Sequence, residues 1–260
     1  MLRELNAVAA IGFRDFLKFT RDRSRLIFTF VFPIVFVGVL GTSLKANVSD
    51  GVGYDFVTYT FTGVLAQTLF QAAAFQMIRL QDERDEDLSQ EIFVSPISRY
   101  SIIVGKILGG GLIAVTQVVG ILLFGLLLGV EYGAQQLLAL LAAFPVIVLL
   151  GGGFGVMILS LIGSEAATNQ IFPLLMFPQF FLAGVFSPIQ QLPIYLLIPS
   201  RAVPMTYAVD FFRGLFFLGT PEHDKIVLFP FAFDLLVIAG FLLVFLPLGT
   251  YLWVRRERNK

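Results

Sequence analysis

Cysteine is absent from this 260-residue chain, and histidine and tryptophan occur once each. Without thiols there is neither a disulfide framework nor a thiolate metal site. The lone His223 sits between Glu222 and Asp224 in a polar stretch, and no H-E-x-x-H motif or Ser/His/Asp set surrounds it. A GxxxxGK[ST] phosphate loop is also missing, because Gly105-Lys106 follows apolar residues and has no glycine-rich turn. Charge is scarce: 14% of residues, against about 25% in an ordinary globular domain. The formal net charge is zero and the isoelectric point is near 6.6, which argues against nucleic-acid binding. Almost nothing remains from which an enzyme active site, or a site for a bound cofactor or metal, could be built.

Hydrocarbon fills the space these absences leave. Hydrophobic residues make up 57% of the chain and mean hydropathy is +0.85, which describes an all-α polytopic membrane protein. About 20 apolar residues cross a bilayer core, and six stretches qualify: 26–44, 56–78, 102–130, 137–162, 171–186 and 226–254. The 19-residue first run is longer than the 7–15 residues of a signal-peptide core, and no A-x-A site follows it, so it reads as an anchor. The second carries Gln67, Gln71 and Gln76 with Thr58, Thr60, Thr62 and Thr68. Amides in lipid need partners, so this span is expected to face protein or a wet path, with Thr60, Gln67 and Gln71 as candidate pathway residues. Residues 187–219 are apolar but broken by Pro188, Pro193, Pro199 and Pro204. Prolines at first helical turns predict two short re-entrant helices there, on the outer side. Asp234, about eight residues into the last stretch, reads as a shallow carboxylate that reaches outer headgroups or pairs with Arg201 or Arg213.

Residues 1–25 form a separate N-terminal unit ahead of the single transmembrane domain, 26–260. Leu2, Leu5, Ala9, Phe13, Phe16 and Thr20 recur at helical spacing, with Arg14, Lys18, Arg21 and Arg25 on another face. That pattern predicts an amphipathic helix lying in the headgroup region. Lysine and arginine then fix orientation. Fourteen flank the first span, follow the second or end the chain, against four in the loops of the opposite side. Both termini are therefore expected in the cytoplasm of a multi-pass cytoplasmic (inner) membrane protein. The one long polar segment, between spans two and three, is expected there too. It packs six carboxylates and one arginine between Asp82 and Glu91, followed by Ile92, Phe93, Pro96 and Arg99.

The order of these parts resembles a known family. Arg21-Asp22-Arg23 precedes the first span. The polar loop reads Glu83-Arg84-Asp85-Glu86, then Glu91-Ile92-Phe93-Val94-Ser95-Pro96-Ile97-Ser98-Arg99, and closes on Gly105-Lys106. After span five come Leu182-Ala183-Gly184-Val185-Phe186-Ser187-Pro188, then Pro204-Met205-Thr206-Tyr207-Ala208-Val209-Asp210 and Arg213-Gly214. Together these look like the membrane subunit of ABC type-2 exporters, the family of daunorubicin-resistance and Nod-factor export permeases. The chain departs from that pattern at Asp87-Leu88, where Gly-Thr is common, and at Val203, where Asn is common.

The resemblance implies a permease with two copies of a separate ATP-binding subunit, which carry ATP and magnesium, and a second permease copy as homodimer partner. It implies a cytoplasmic coupling helix formed by Asp82, Glu83, Arg84, Asp85 and Glu86 with Glu91, Ile92 and Phe93, ahead of Pro96 and Arg99. It also implies an outer re-entrant motif of Pro204, Thr206, Tyr207, Asp210 and Arg213. The cargo would be amphiphilic, lipid-like, a drug or a glycan. A proton-coupled secondary transporter using Asp234, and a membrane scaffold recruiting a soluble partner, are the alternative readings. On the exporter reading, reversing Glu83 and Glu86 to lysine uncouples ATP-driven export while the protein still inserts. Unchanged export in that double variant would contradict it.

Overall fold

A computed structural model describes residues 2–43, 53–85, 97–162 and 165–258. Every regular element among them is helical. In chain order these are α1 (Leu2–Arg21), α2 (Arg23–Val35) with a π-helical continuation (Phe36–Gly41), α3 (Phe56–Asp85) and α4 (Arg99–Leu127). Then follow α5 (Ala134–Leu161), α6 (Glu165–Leu182), α7 (Ile194–Ala202), α8 (Pro204–Phe216), α9 (His223–Ile226) and α10 (Phe231–Arg258). By length and composition α4, α5 and α10 can each cross a membrane. The other three expected stretches fall on α2 with its π turn, α3 and α6, which do not meet that length and composition.

α3 is the axis of the molecule. It packs against α4, α5 and α8, and Phe61, Leu65, Leu69, Phe70, Ala73 and Met77 are wholly buried. Its polar residues go inside as well: Thr60, Thr62 and Gln67 are at most 1% exposed. Backbone contact permits this enclosure. A Cβ on Gly151 of α5 would run into the Phe70 carbonyl oxygen, and one on Gly110 of α4 would stand 2.6 Å from the Ala73 Cα. Small residues at such crossings let membrane helices approach until their backbones touch.

Boundaries differ from expectation in several helices, and three of these helices show the local cause. The N-terminal amphipathic helix ends at Arg21, because Asp22 turns extended and caps α2 by accepting from the Arg25 N–H at 3.0 Å. Arg25 therefore belongs to α2. α6 begins at Glu165 and stops at Leu182, ahead of Gly184 in the left-handed region (φ +75°). The last long helix starts at Phe231 rather than at residue 226. The apolar run 226–229 looks continuous with it, but Pro230 intervenes and its carbonyl accepts from Phe233 and Asp234 in the first turn of α10. Within α2, Pro33 removes a ladder donor, and the backbone shifts to π-helical bonding from Phe36 onwards.

Two glycines test how much the fold depends on close approach. Gly151→Val is expected to destabilise the purified protein by about 1–3 kcal/mol or more through overpacking. Gly240, with open space around its Cβ position, is expected to accept Ala at no cost. Thermal unfolding in detergent, followed by Trp253 fluorescence, checks both, and equal midpoints for the two variants would contradict the packing.

Candidate functional site

α1 lies along α4 on the stripe Ala7, Ile11, Asp15 and Phe19, each buried. The expected apolar face instead points outward, with Leu5 and Phe13 each 57% exposed. Glycines set the distance here too. A Cβ on Gly105 would meet the Ile11 Cβ at 2.9 Å, and one on Gly109 would meet the Asp15 Cβ at 3.1 Å. This approach brings Asp15 onto Lys106, both sealed from solvent, with side chains 2% and 1% exposed.

The Lys106 ammonium reaches Asp15 Oδ2 and Glu83 Oε2, each at 2.8 Å. Arg14 bridges the same two carboxylates at 2.7 and 2.8 Å, and Lys18 adds a contact to Glu83 at 3.2 Å. The Gln76 amide donates to Asp15 Oδ2 at 2.9 Å and accepts from Arg25 at 3.3 Å. A buried charge is tolerable only when paired and hydrogen-bonded. Here three helices supply the partners, so removing any one leaves its neighbours uncompensated. Burial pushes the Glu83 carboxyl up, but Lys106, Arg14 and Lys18 outweigh it and hold it at about 2.

A second clasp lies near the start of α1. Glu4 accepts from the Ser101 hydroxyl at 2.6 Å and the Ser98 N–H at 3.2 Å, and these bonds hold its carboxyl below the usual range. Ser98 also caps α4. α1 thus fastens the last turn of α3 and the first turn of α4, the two ends from which the acidic segment departs.

The expected coupling residues divide accordingly. Asp82, Glu83, Arg84 and Asp85 continue α3, and Arg99 opens α4. Glu86, Glu91, Ile92, Phe93 and Pro96 lie outside the described residues. Glu83 is turned inward to Arg14 and Lys18, two residues assigned from sequence to the interfacial helix. Arg21 stays exposed. Sequence reasoning missed Asp15 altogether. Its four-residue register with Ala7, Ile11 and Phe19 was the available signal.

The outer motif forms a second knot. Arg213, 1% exposed, donates to the carbonyl oxygens of Gly184 and Tyr59 at 2.9 Å and of Val185 at 3.3 Å, and lies 3.6 Å over the Tyr59 ring. Asp210 accepts from the N–H groups of Leu228 and Phe229, each at 2.8 Å. Thr206 and Tyr207 donate to the carbonyls of Ser200 and Arg201, at the end of α7, and Pro204 opens α8. Asp234 stands in the first turn of α10, 1% exposed and beside Asp210. It does not reach outward, and Arg213 is engaged elsewhere. The reason is the late helix start at Phe231, which turns this residue under α8.

Of the three candidate pathway residues, Thr60 and Gln67 are enclosed within the bundle, and Gln71 lines a cavity of about 480 Å³ bounded by α2, α3, α4 and α6.

Residues 6–217 match the ABC-2 type transporter family. The chain is similar to Nodulation protein J of Rhizobium leguminosarum bv. trifolii, 26% identical over 200 residues, covering 74% of this chain and 73% of the relative. The protein of the same name from R. leguminosarum bv. viciae is 26% identical over 197 residues, 73% of each chain. A putative transport permease, ycf38, of Cyanophora paradoxa is 23% identical over 164 residues, 62% of this chain and 57% of that one. With most of its length inside the matched region, the chain belongs to the ABC-2 type transporter family.

Proposed function

We propose that this chain is the permease subunit of an ATP-driven exporter, with six spans and both termini in the cytoplasm. It works as a homodimer on two copies of a separate ATP-binding subunit, in the cytoplasmic membrane. The observation that carries the coupling part is the buried cluster of Asp15, Glu83 and Lys106. Force applied to the acidic segment after α3 reaches the ends of α3 and α4 first. Because α1 is clasped to both, the three move as one body. The extended residue Asp22, between α1 and α2, passes that motion to the first span. The Pro33–π stretch gives that span a place to bend. Outside, the Arg213 knot holds the re-entrant helices to α3 and the end of α6, so displacement of α3 is felt at the outer mouth.

The energetics of such coupling require an assembly that is rigid where force enters and bistable beyond it. A three-helix ion cluster favours the first property, since losing one partner strands buried charge at a cost of about 3–5 kcal/mol. A proton relay through Asp234 finds less support, because that residue sits at a helix start rather than midway along a span.

Co-expression with the ATP-binding subunit and reconstitution of the complex test this reading. Asp15→Asn and Lys106→Met are each expected to leave the ATPase bound but sever hydrolysis from transport, while the double variant, with neither charge, recovers part of the coupling. Additive losses would contradict the cluster as a unit. The pH dependence follows from Glu83. A carboxyl depressed from the ordinary value of 4.5 to about 2 stabilises the fold fully above the unfolded value and loses that contribution as pH falls from 4.5 towards 2. Coupling is therefore expected to be independent of Glu83 titration between pH 5 and 8, and Glu83→Gln is expected to weaken the acid limb of the stability curve. An acid limb identical to wild type would contradict the assignment.

A further inference from the structure

Where α8 packs on α10, two carboxyl groups share one enclosed space. Asp210 is wholly buried and Asp234 is 1% exposed. Asp210 is well supplied with donors. The Leu228 N–H reaches its two oxygens at 2.8 and 3.1 Å, and the Phe229 N–H reaches Oδ2 at 2.8 Å. The run of backbone donors ends there, because Pro230 has no N–H. Asp234 follows in the first turn of α10, and its carboxyl meets that of Asp210. Both of its oxygens are sealed from solvent, and neither receives an N–H or hydroxyl donor among the described residues.

The surroundings offer no cation for a second charge. α5, the principal neighbour of α10, contains no ionisable residue, and those of α4 end at Lys106 in the ion cluster near its start. On α8, Arg213 acts on Asp210 while its own N–H groups hold the carbonyls of Gly184, Tyr59 and Val185. Tyr207 donates its hydroxyl proton to the Arg201 carbonyl, and the Arg201 side chain is exposed. Aromatic rings close the junction. Phe211 stacks on Phe231 at 5.2 Å between centroids, and Tyr207 lies 6.3 Å from Phe233.

A carboxylate only accepts hydrogen bonds, whereas a protonated carboxyl also donates. Two acceptors in contact, with no donor between them, repel. An uncompensated carboxylate in an apolar site neutralises itself rather than stay charged. The two backbone donors and the field of Arg213 favour the charge on Asp210. The proton then falls to Asp234, whose carboxyl O–H completes the donor set around Asp210.

We propose that Asp210 and Asp234 hold a single proton between them, carried by Asp234, and that this proton latches α8 to the start of α10. Asp234 is thereby a neutral hydrogen-bond donor and a positioning residue for Asp210 and for the turn at 228–229. Its place in an apolar helix follows, since a neutral acid costs far less to enclose than an anion. The latch belongs to the folded chain and does not depend on the export reading.

Infrared difference spectra of the full-length chain in nanodiscs, wild type against Asp234→Asn, read the proton directly. The carbonyl band of a protonated carboxylic acid, shifted in heavy water, is expected in wild type and absent from the variant. Asparagine keeps a donor without a charge, so this variant is also expected to unfold at the wild-type temperature. Asp234→Leu has no donor and is expected to unfold earlier. Its Leu228 and Phe229 amides are expected to exchange at least about tenfold faster, with the amides of α5 unchanged. Lack of the band, or its persistence in Asp234→Asn, overturns the shared proton. So does earlier unfolding of Asp234→Asn, or a wild-type midpoint that rises when sodium replaces choline, which would mark a bridging cation. Neither readout needs the leucine variant to fold. Wild-type exchange at 228–229 in that variant overturns the latch.

Discussion

A buried ammonium group organises the end of the molecule where α1 meets α3 and α4. Lys106 sits in an apolar helix with 1% of its side chain exposed, where an unpaired charge would cost several kcal/mol. Its pairing draws Asp15 from α1 and Glu83 from α3, and those acids draw in Arg14, Lys18 and Gln76. The position of the N-terminal helix is thus set by charge compensation as much as by apolar contact. Because the partners come from three separate elements, the cluster favours one arrangement of them. That specificity is what a force-transmitting element needs.

The glycines are the steric counterpart of this electrostatic constraint. Gly105 and Gly109 let α1 descend onto α4 until Asp15 reaches Lys106, and Gly110 and Gly151 let α4 and α5 close over α3. Enclosing α3 then shelters its threonines and amides from lipid. On the opposite side of the bundle, Arg213 binds backbone carbonyls left available around Gly184, where the chain turns in the left-handed region. Membership in the ABC-2 type transporter family gives these two knots a functional context. On the reading proposed above, the first knot is where a partner subunit pushes and the second is where the pathway opens.

Much of this was legible in the sequence, for identifiable reasons. Glutamines and threonines in the second apolar stretch cannot face lipid, so the burial of α3 followed from composition. Prolines at 193 and 204 marked the starts of the two short helices α7 and α8. The hidden parts depended on which helix face meets which neighbour. Asp15 belongs to no motif of the sequence, and its role follows only from the packing of α1 through its 7-11-15-19 stripe. Arg213 counted as an outer basic residue, yet it is buried. Hydropathy could not separate residues 226–229 from the helix after Pro230, so Asp234 was read as reaching outward, whereas it is buried in the first turn of α10.

The central claim is that α1, the last turn of α3 and the first turn of α4 move as one body. Spin labels at exposed Leu5 and Tyr100 would report on that body, and labels at exposed Phe28 and Phe177 on the spans beyond it. Distances measured by pulsed electron resonance through the nucleotide cycle of the assembled complex decide the matter. The account predicts a constant Leu5–Tyr100 separation and a nucleotide-dependent shift between Phe28 and Phe177. Separation of Leu5 from Tyr100 on ATP binding, with the second pair unchanged, would contradict it.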